Sequence, residues 1–536
     1  MVSSNAEVLY SNPIVPGFAP DPSVVFVDGT FFLSTSSFHV FPGLPIYASR
    51  DLKEWTHIGN ALHRRSQLSL RDANTIHVPL DTGFTMVATT GIVAPSIHYH
   101  EGVFYIVTTN QTFNGEDYER HNFIIKCHDI WSNNWGDPVY FDYRGIDTSL
   151  FFHDDGRVFV QGAWHIRDDE QPTNTIKQVQ IDINTGELLS ETVEIWPGWA
   201  KYDTEGPHIY KVGEYFYLLA AEGGTFEHHM LSIARSTDIW GPYESWDKNP
   251  IMTADGKEEY IQNIGHGALF QDGDGRWWAA VLGVRKQPNG TLGLGRESFL
   301  SPVDWPEGGW PTVRQPKISF QREAAPSLVP QEPLQAPSRI EDLYIRDHDE
   351  ESYQYLDDEG TLSLSPNRSG LGSVIESPTF LGRRQRFLTG TGYTRIGTDQ
   401  GLNGKSIRAG ISLYKDPIRF ASLVYDFKNA TVVFEVHNSA TGVFGTISRK
   451  LSLGLTEVQL RITATPSRYT FQAKETLREA VFGSEKGWIE IGSVETKVLD
   501  ARDFTGPLIG VFAQSQSEER EKKAIIFREF ELAAEE

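Results

Sequence analysis

The sequence predicts an all-β protein in two parts, a β-propeller followed by an antiparallel β-sandwich. Three observations predict it. Five segments of the first half repeat one hairpin, helical periodicity is nearly absent, and a proline-rich stretch separates the repeats from strands of another pattern. Short alternating strands bounded by Gly, Asp and Asn are the mark of β-structure.

The repeats are PDPSVVFVDGTFFLSTS from Pro20, APSIHYHEGVFYIVTT from Ala94, DTSLFFHDDGRVFVQG from Asp147, EGPHIYKVGEYFYLLAAE from Glu205 and GHGALFQDGDGRWWAAVLG from Gly265. Each holds an apolar strand, a turn of Asp, His, Glu or Gly type, and a second strand rich in aromatics. Such a unit recurring at roughly 50–70 residues predicts blades around a central axis. Equivalent positions of the blades then converge. Three repeats open on an acid: Asp21, Asp147 and Glu205. Taken singly, these read as a turn aspartate, a strand-start cap and a solvated turn residue. Their shared position instead gathers them at the axis. Pro20 and Pro22 restrict Asp21, which predicts an extended backbone there. Trp240, Trp277, Trp278 and Trp305 read as packing residues.

The blade pattern stops near Trp305–Pro316, and AAPSLVPQEPLQAPS (Ala324–Ser338) reads as a semi-rigid linker. From Ile340 the strands, among them SIRAGISLY, ATVVFEVH and PLIGVFAQS, lack the acid-led motif and read as a sandwich. The expected division is 1–318, 319–339 and 340–536. SEEREKK, from Ser517 to Lys523, reads as a solvated loop.

Bulk properties narrow the function. With 48 basic against 71 acidic residues the formal charge is −23. This opposes binding to nucleic acid or an anionic membrane and suits a neutral, soluble ligand. One cysteine, Cys127, excludes an intramolecular disulfide and cysteine-built metal sites. No run approaches the ~18 apolar residues of a membrane span. The first residues lack a basic n-region and an apolar h-region, so the expected compartment is either the cytoplasm or, with a leader removed, the outside.

Two carboxylates facing a glycosidic bond suffice to hydrolyse it. One protonates the leaving oxygen, and the other attacks the sugar or activates water. A third can raise the pKa of the acid by like-charge repulsion. At this point the chain resembles glycoside hydrolase family 43, of the two-domain β-xylosidase and α-L-arabinofuranosidase type. The resemblance rests on NPIVPGFAPDPS, SSFHVFPGLPIYASRDLKEW, GIDTSLFFHDDGR, TEGPHIYKVGEYFYLLAAEGGT, GHGALFQDGDGRWWAAVLG, GRESF and LGRRQ, in the family's order.

The resemblance implies a five-bladed propeller, a β-sandwich and inversion at the anomeric carbon. Asp21 would be the general base, Glu205 the general acid, and Asp147 the residue that tunes and orients Glu205. Inversion implies about 6.5–9.5 Å between the Asp21 and Glu205 carboxyls. Arg296 in GRESF would bond a sugar hydroxyl and the carboxylates, and Phe38 would face the sugar. His266 would lie near the axis, facing water or, through water, a structural calcium ion. No cofactor is required for the reaction.

Relatives active on xylosides often carry tryptophan where this chain has Val40 and Val93. Losing those walls favours an α-L-arabinofuranosidase over a strict β-xylosidase. HVPLDTGFTMVATT (His77–Thr90) is longer than the family pattern and could form a lid or widen the entrance. The expected partner is a hemicellulose-derived oligosaccharide or polysaccharide, and a homo-oligomer is compatible with the family. Runner-up readings are a β-D-xylosidase, an endo-arabinanase and a non-catalytic carbohydrate-binding propeller.

Overall fold

The structure, a computed structural model, describes residues 7–79, 85–115, 117–167, 170–325, 328, 332–357, 360–398, 400–452, 454–477, 487–517 and 523–535. Among these, five antiparallel sheets form blades I to V, and two larger sheets form a sandwich. Each repeat supplies the first two strands of its blade. The first is innermost: Ser23–Val27, Gly91–His100, Ile146–Phe152, Glu205–Val212 and Ile261–Gln271. Each inner strand touches the next, and blade V returns to blade I, so the ring closes. The turns come from the sequence directly. Asp28–Gly29 and Glu101–Gly102 have positive φ at both residues, the type I′ geometry of two-residue hairpins.

The apolar residues of successive blades meet in separate clusters. Phe32, Ile46, Ile106 and Phe123 fill the space between blades I and II. Phe31, Phe270 and Trp278 fill it between I and V. Trp277 packs on Trp305 at 4.4 Å between ring centres, and Trp240 meets Phe159 edge-on at 5.2 Å. These tryptophans are packing residues, as read from the sequence.

The linker begins later than 319. Ser319–Glu323 is a strand paired with Glu7–Ser11, because Phe320 stacks on Tyr10 at 5.3 Å. Five residues of alternation were too short to reveal it. Residues 326, 327 and 329–331 of the proline-rich stretch, and 518–522 of the SEEREKK loop, lie outside the described residues.

The sandwich packs a seven-stranded sheet on a six-stranded one around Ile411, Val511, Ile462 and Phe527. The LGRRQ motif is its seam with the propeller. Within the C-terminal part, Arg383 pairs with Asp342 at 2.8 Å. Arg384 Nε donates to the Phe18 carbonyl at 2.9 Å, and Arg386 donates to the Pro16 carbonyl at 3.0 Å. The sandwich thus holds the segment that leads into Asp21. A second seam joins Arg502–Asp503 in parallel to Met86–Val87 of the hairpin Thr75–Thr89.

Candidate active site

Asp147, Glu205 and His266 stand on inner strands that bulge where they stand, whereas Asp21 lies two residues before its strand. Ladder register breaks between Ile146 and Ser149, between Glu205 and His208, and twice between Gln262 and Gly267. Bulges re-aim side chains at the cost of pairing. The backbone there is also strained: φ is +57° at Asp21, +55° at Asp147, +45° at Asp203 and +51° at Phe38. Non-glycine residues in this region are costly and cluster at functional sites. Asp21 is therefore not extended, as its flanking prolines suggested. Tertiary hydrogen bonds hold it in the left-handed region.

Those bonds are specific. Ser36 Oγ donates to Asp21 Oδ2 at 2.5 Å and accepts the Ala94 backbone N–H at 2.7 Å. Arg296 Nη1 lies 3.5 Å from Asp21 Oδ1 and donates to Thr225 Oγ1 at 3.0 Å. Its Nε donates to the Phe504 carbonyl of the sandwich at 3.1 Å. The guanidinium lies beside the stacked rings of Phe38 and Phe504, 5.5 and 5.0 Å from their centres. His266 Nδ1 stands 3.6 Å from Asp147 Oδ2 and 3.9 Å from Asp21 Oδ1. Gly206, at φ +58°, lets its N–H reach Asp147, and a Cβ there would meet the His266 ring at 3.1 Å.

These contacts split the carboxyls electrically. Burial pushes Asp21 up, but Arg296, His266 and the Ser36 hydroxyl outweigh it and hold the carboxyl below its usual range. Burial raises Asp147; His266 opposes the rise and Asp21 adds to it. Glu205 is driven well above the carboxylate range, first by burial, then by the charges of Asp147, Asp203 and Asp21. The two carboxyls are thus pushed in opposite directions across a single cavity, Asp21 towards its ionised form and Glu205 towards its protonated form, the separation that acid–base assignment needs.

That cavity has a volume of about 610 Å³ and brings together every site residue expected from the sequence: Asp21, Phe38, Val93, Asp147, Glu205, His266 and Arg296 all line it. Its deep end is buried, whereas Tyr202 at the mouth is 45% exposed. Val40 does not line it. It is buried at the propeller–sandwich seam, paired with Ile345. Only one of the two valines therefore shapes the pocket. The hairpin Thr75–Thr89 contributes Met86 and Thr89 to the wall; its residues 80–84 lie outside the described residues. Sequence reasoning missed Asp203, Tyr202, Phe226, Glu227, Arg502 and Phe504, all lining the cavity. Asp203 alone had a local signal, its place two residues before Glu205.

Asp147, Glu205 and His266 offer one ligand atom each within 4.8 Å of one another. The trio does not fit calcium, which takes six to eight oxygens. It offers two carboxylates and one imidazole nitrogen, too few oxygens for that ion.

The family model for glycosyl hydrolases family 43 matches residues 10–311. The chain belongs to glycosyl hydrolase family 43. The model of the β-xylosidase C-terminal concanavalin A-like domain matches residues 343–533. This family 43 chain is 30% identical over 526 residues to the non-reducing-end α-L-arabinofuranosidase BoGH43B of Bacteroides ovatus, covering 96% of this chain and 93% of that one. It is 33% identical to a xylosidase/arabinosidase of Butyrivibrio fibrisolvens, over 71% of this chain and 73% of the other. The structure superposes on the xylan β-1,4-xylosidase of Bacillus halodurans with a TM-score of 0.83, at 27% identity and 97% and 99% coverage. The protein is a glycosidase acting on carbohydrate.

Proposed function

We propose that this enzyme is an exo-acting, inverting hydrolase that releases terminal α-L-arabinofuranosyl residues from arabinoxylan or derived oligosaccharides. The observation that carries the reading is the split pair in one closed-ended cavity: Asp21 ionised at the deep end against Arg296, and Glu205 protonated. Asp21 accepts a proton from water as that water attacks the anomeric carbon. Glu205 gives its proton to the departing glycosidic oxygen, so charge is balanced on both sides. Asp147 keeps that proton on Glu205. Arg296 and Phe38 hold the sugar.

Likeness to BoGH43B over nearly the whole length supports the arabinofuranosyl preference, as does Val93 where a flat tryptophan wall would favour a xylopyranose. Likeness of the fold to the Bacillus halodurans β-1,4-xylosidase supports β-D-xylosyl release as the second reading. Initial rates on matched p-nitrophenyl α-L-arabinofuranoside and β-D-xylopyranoside, repeated on arabinoxylan, separate the two. Arabinose release well above xylose release is expected, and dominant xylose release reverses the order.

Asp21→Asn and Glu205→Gln should each lower kcat by about 10²–10⁴-fold on oligosaccharides. Glu205→Gln should lose much less on activated aryl glycosides, which scarcely need an acid. Proton NMR during turnover should show the β-arabinofuranose first, with the α anomer appearing by mutarotation.

A further inference from the structure

Asp203 sits two residues before Glu205 and lines the same cavity on its more exposed side, next to Tyr202. It is built in rather than dangling. Its backbone N–H donates to Thr173 Oγ1 at 2.7 Å, and that hydroxyl donates in turn to Asp203 Oδ1 at 3.2 Å. Thr173 is itself buried and donates its N–H to the Lys201 carbonyl at 3.2 Å. The second carboxylate oxygen, Oδ2, faces Gly224 across the wall, where a Cβ would stand 3.3 Å away. The left-handed φ of +45° is a strain the chain bears to hold this orientation.

We propose that Asp203 is a fourth working carboxylate of the site, a positioning residue that keeps the Glu205 proton in place from the mouth side while Asp147 does so from the deep side. The inference rests on Glu205 being the general acid. The charged and titratable groups that line the cavity with Glu205 are Asp147, His266, Asp21 and Arg296 at the deep end and Asp203, Glu227, His228 and Arg502 towards the mouth. Asp203 carries a charge of the same sign as Asp147 and Asp21 in the cavity that Glu205 lines, two residues along the chain from it, and all three push the Glu205 carboxyl up. A negative charge at the mouth has a second consequence. Being partly exposed, its influence is screened by salt, whereas that of buried Asp147 is not.

The test is the pH profile of kcat/KM on an arabinoxylan-derived oligosaccharide, whose alkaline limb reports the acid of the free enzyme. Asp203→Asn preserves an acceptor for Thr173 and removes the charge. The alkaline limb should move down by roughly half a pH unit, and Asp203→Glu should restore it. In the wild type the limb should also move down with added NaCl, and in Asp203→Asn it should respond less. A uniform loss of rate with an unmoved limb overturns the proposal and leaves Asp203 a structural turn residue. Should Asp203→Asn fail to fold, Asp203→Ser gives the same reading. Glu205→Gln, run in parallel, keeps the two ideas apart. If it retains turnover on the oligosaccharide, the acid assignment fails. If it loses turnover while the Asp203→Asn limb stays put, only the role of Asp203 fails.

Discussion

Ser36 carries more of the chemistry than its type suggests. Its hydroxyl gives a hydrogen bond to Asp21 and takes one from Ala94, so it both lowers the base and fixes the strained strand beside it. Ser36→Ala should raise the Asp21 pKa and move the acid limb of kcat/KM up by roughly half a unit to one unit. It should also cost about 1–3 kcal/mol by leaving the buried Ala94 N–H unpaired, read by urea unfolding. Glu205 gives a sign that can be checked without substrate. A carboxyl whose folded pKa is raised binds its proton more tightly folded than unfolded. Stability is therefore highest below the unfolded value of 4.5 and falls as pH rises towards the folded value. Glu205→Gln should accordingly raise Tm more at pH 8 than at pH 4.5.

At the scale of elements, the blades were legible because each repeats its own turn and strand pattern. The bulges were not. Nothing in DTSLFF or TEGPHIY says that register breaks at Asp147 and Glu205, because the break is set by how five inner strands crowd one axis. Gly206 is the trace the bulge leaves in sequence. With φ at +58° and His266 3.1 Å from where a Cβ would stand, Gly206→Ala should cost about 1–2 kcal/mol in stability. Its larger effect should be on rate. Displacing Asp147 and His266 by a fraction of an ångström should cost up to about 10²-fold in kcat, measured on an oligosaccharide with the fold checked by circular dichroism.

Across the whole molecule, the sandwich is a wall of the site. Phe504 takes the hydrogen bond of Arg296 through its carbonyl and stacks against Phe38 at 6.1 Å. Arg502 grips Glu227 at 2.5 Å across the mouth. Phe504→Ala should raise KM more than it lowers kcat, because the ring packs around bound sugar and Arg296 while the carbonyl remains. Buried histidines of the propeller and of its seam also predict acid lability. Burial holds His39 and His229 down at about 3 and His98 at about 4. Each is neutral when folded and gains a proton on unfolding below about 6.5, so stability falls as pH drops from that value. Glu341 adds to this. Burial alone would raise it, but His57 and Arg386 hold it far below the carboxylate range, so its contribution is lost as pH falls below 4.5. Burial keeps His57 below its usual value despite Glu341, so Arg386 is the charged partner of this acid. Tm should decline steadily from pH 6.5 to pH 4.

The sequence by itself determined the all-β class, the five repeats, the sandwich, and the acids and arginine that meet in the cavity. All but the arginine are written locally, in strand alternation, turn residues and motifs that recur at one blade position; the arginine was marked by the resemblance of GRESF to family 43. Only the tertiary structure decided that Asp21 is left-handed, that Val93 and not Val40 faces the cavity, and that Asp203, Arg502 and Phe504 complete it. Those outcomes depend on which residues become neighbours across hundreds of positions. Burial and nearby charge, which divide the carboxyls into base and acid, arise only when the ring closes and the sandwich docks.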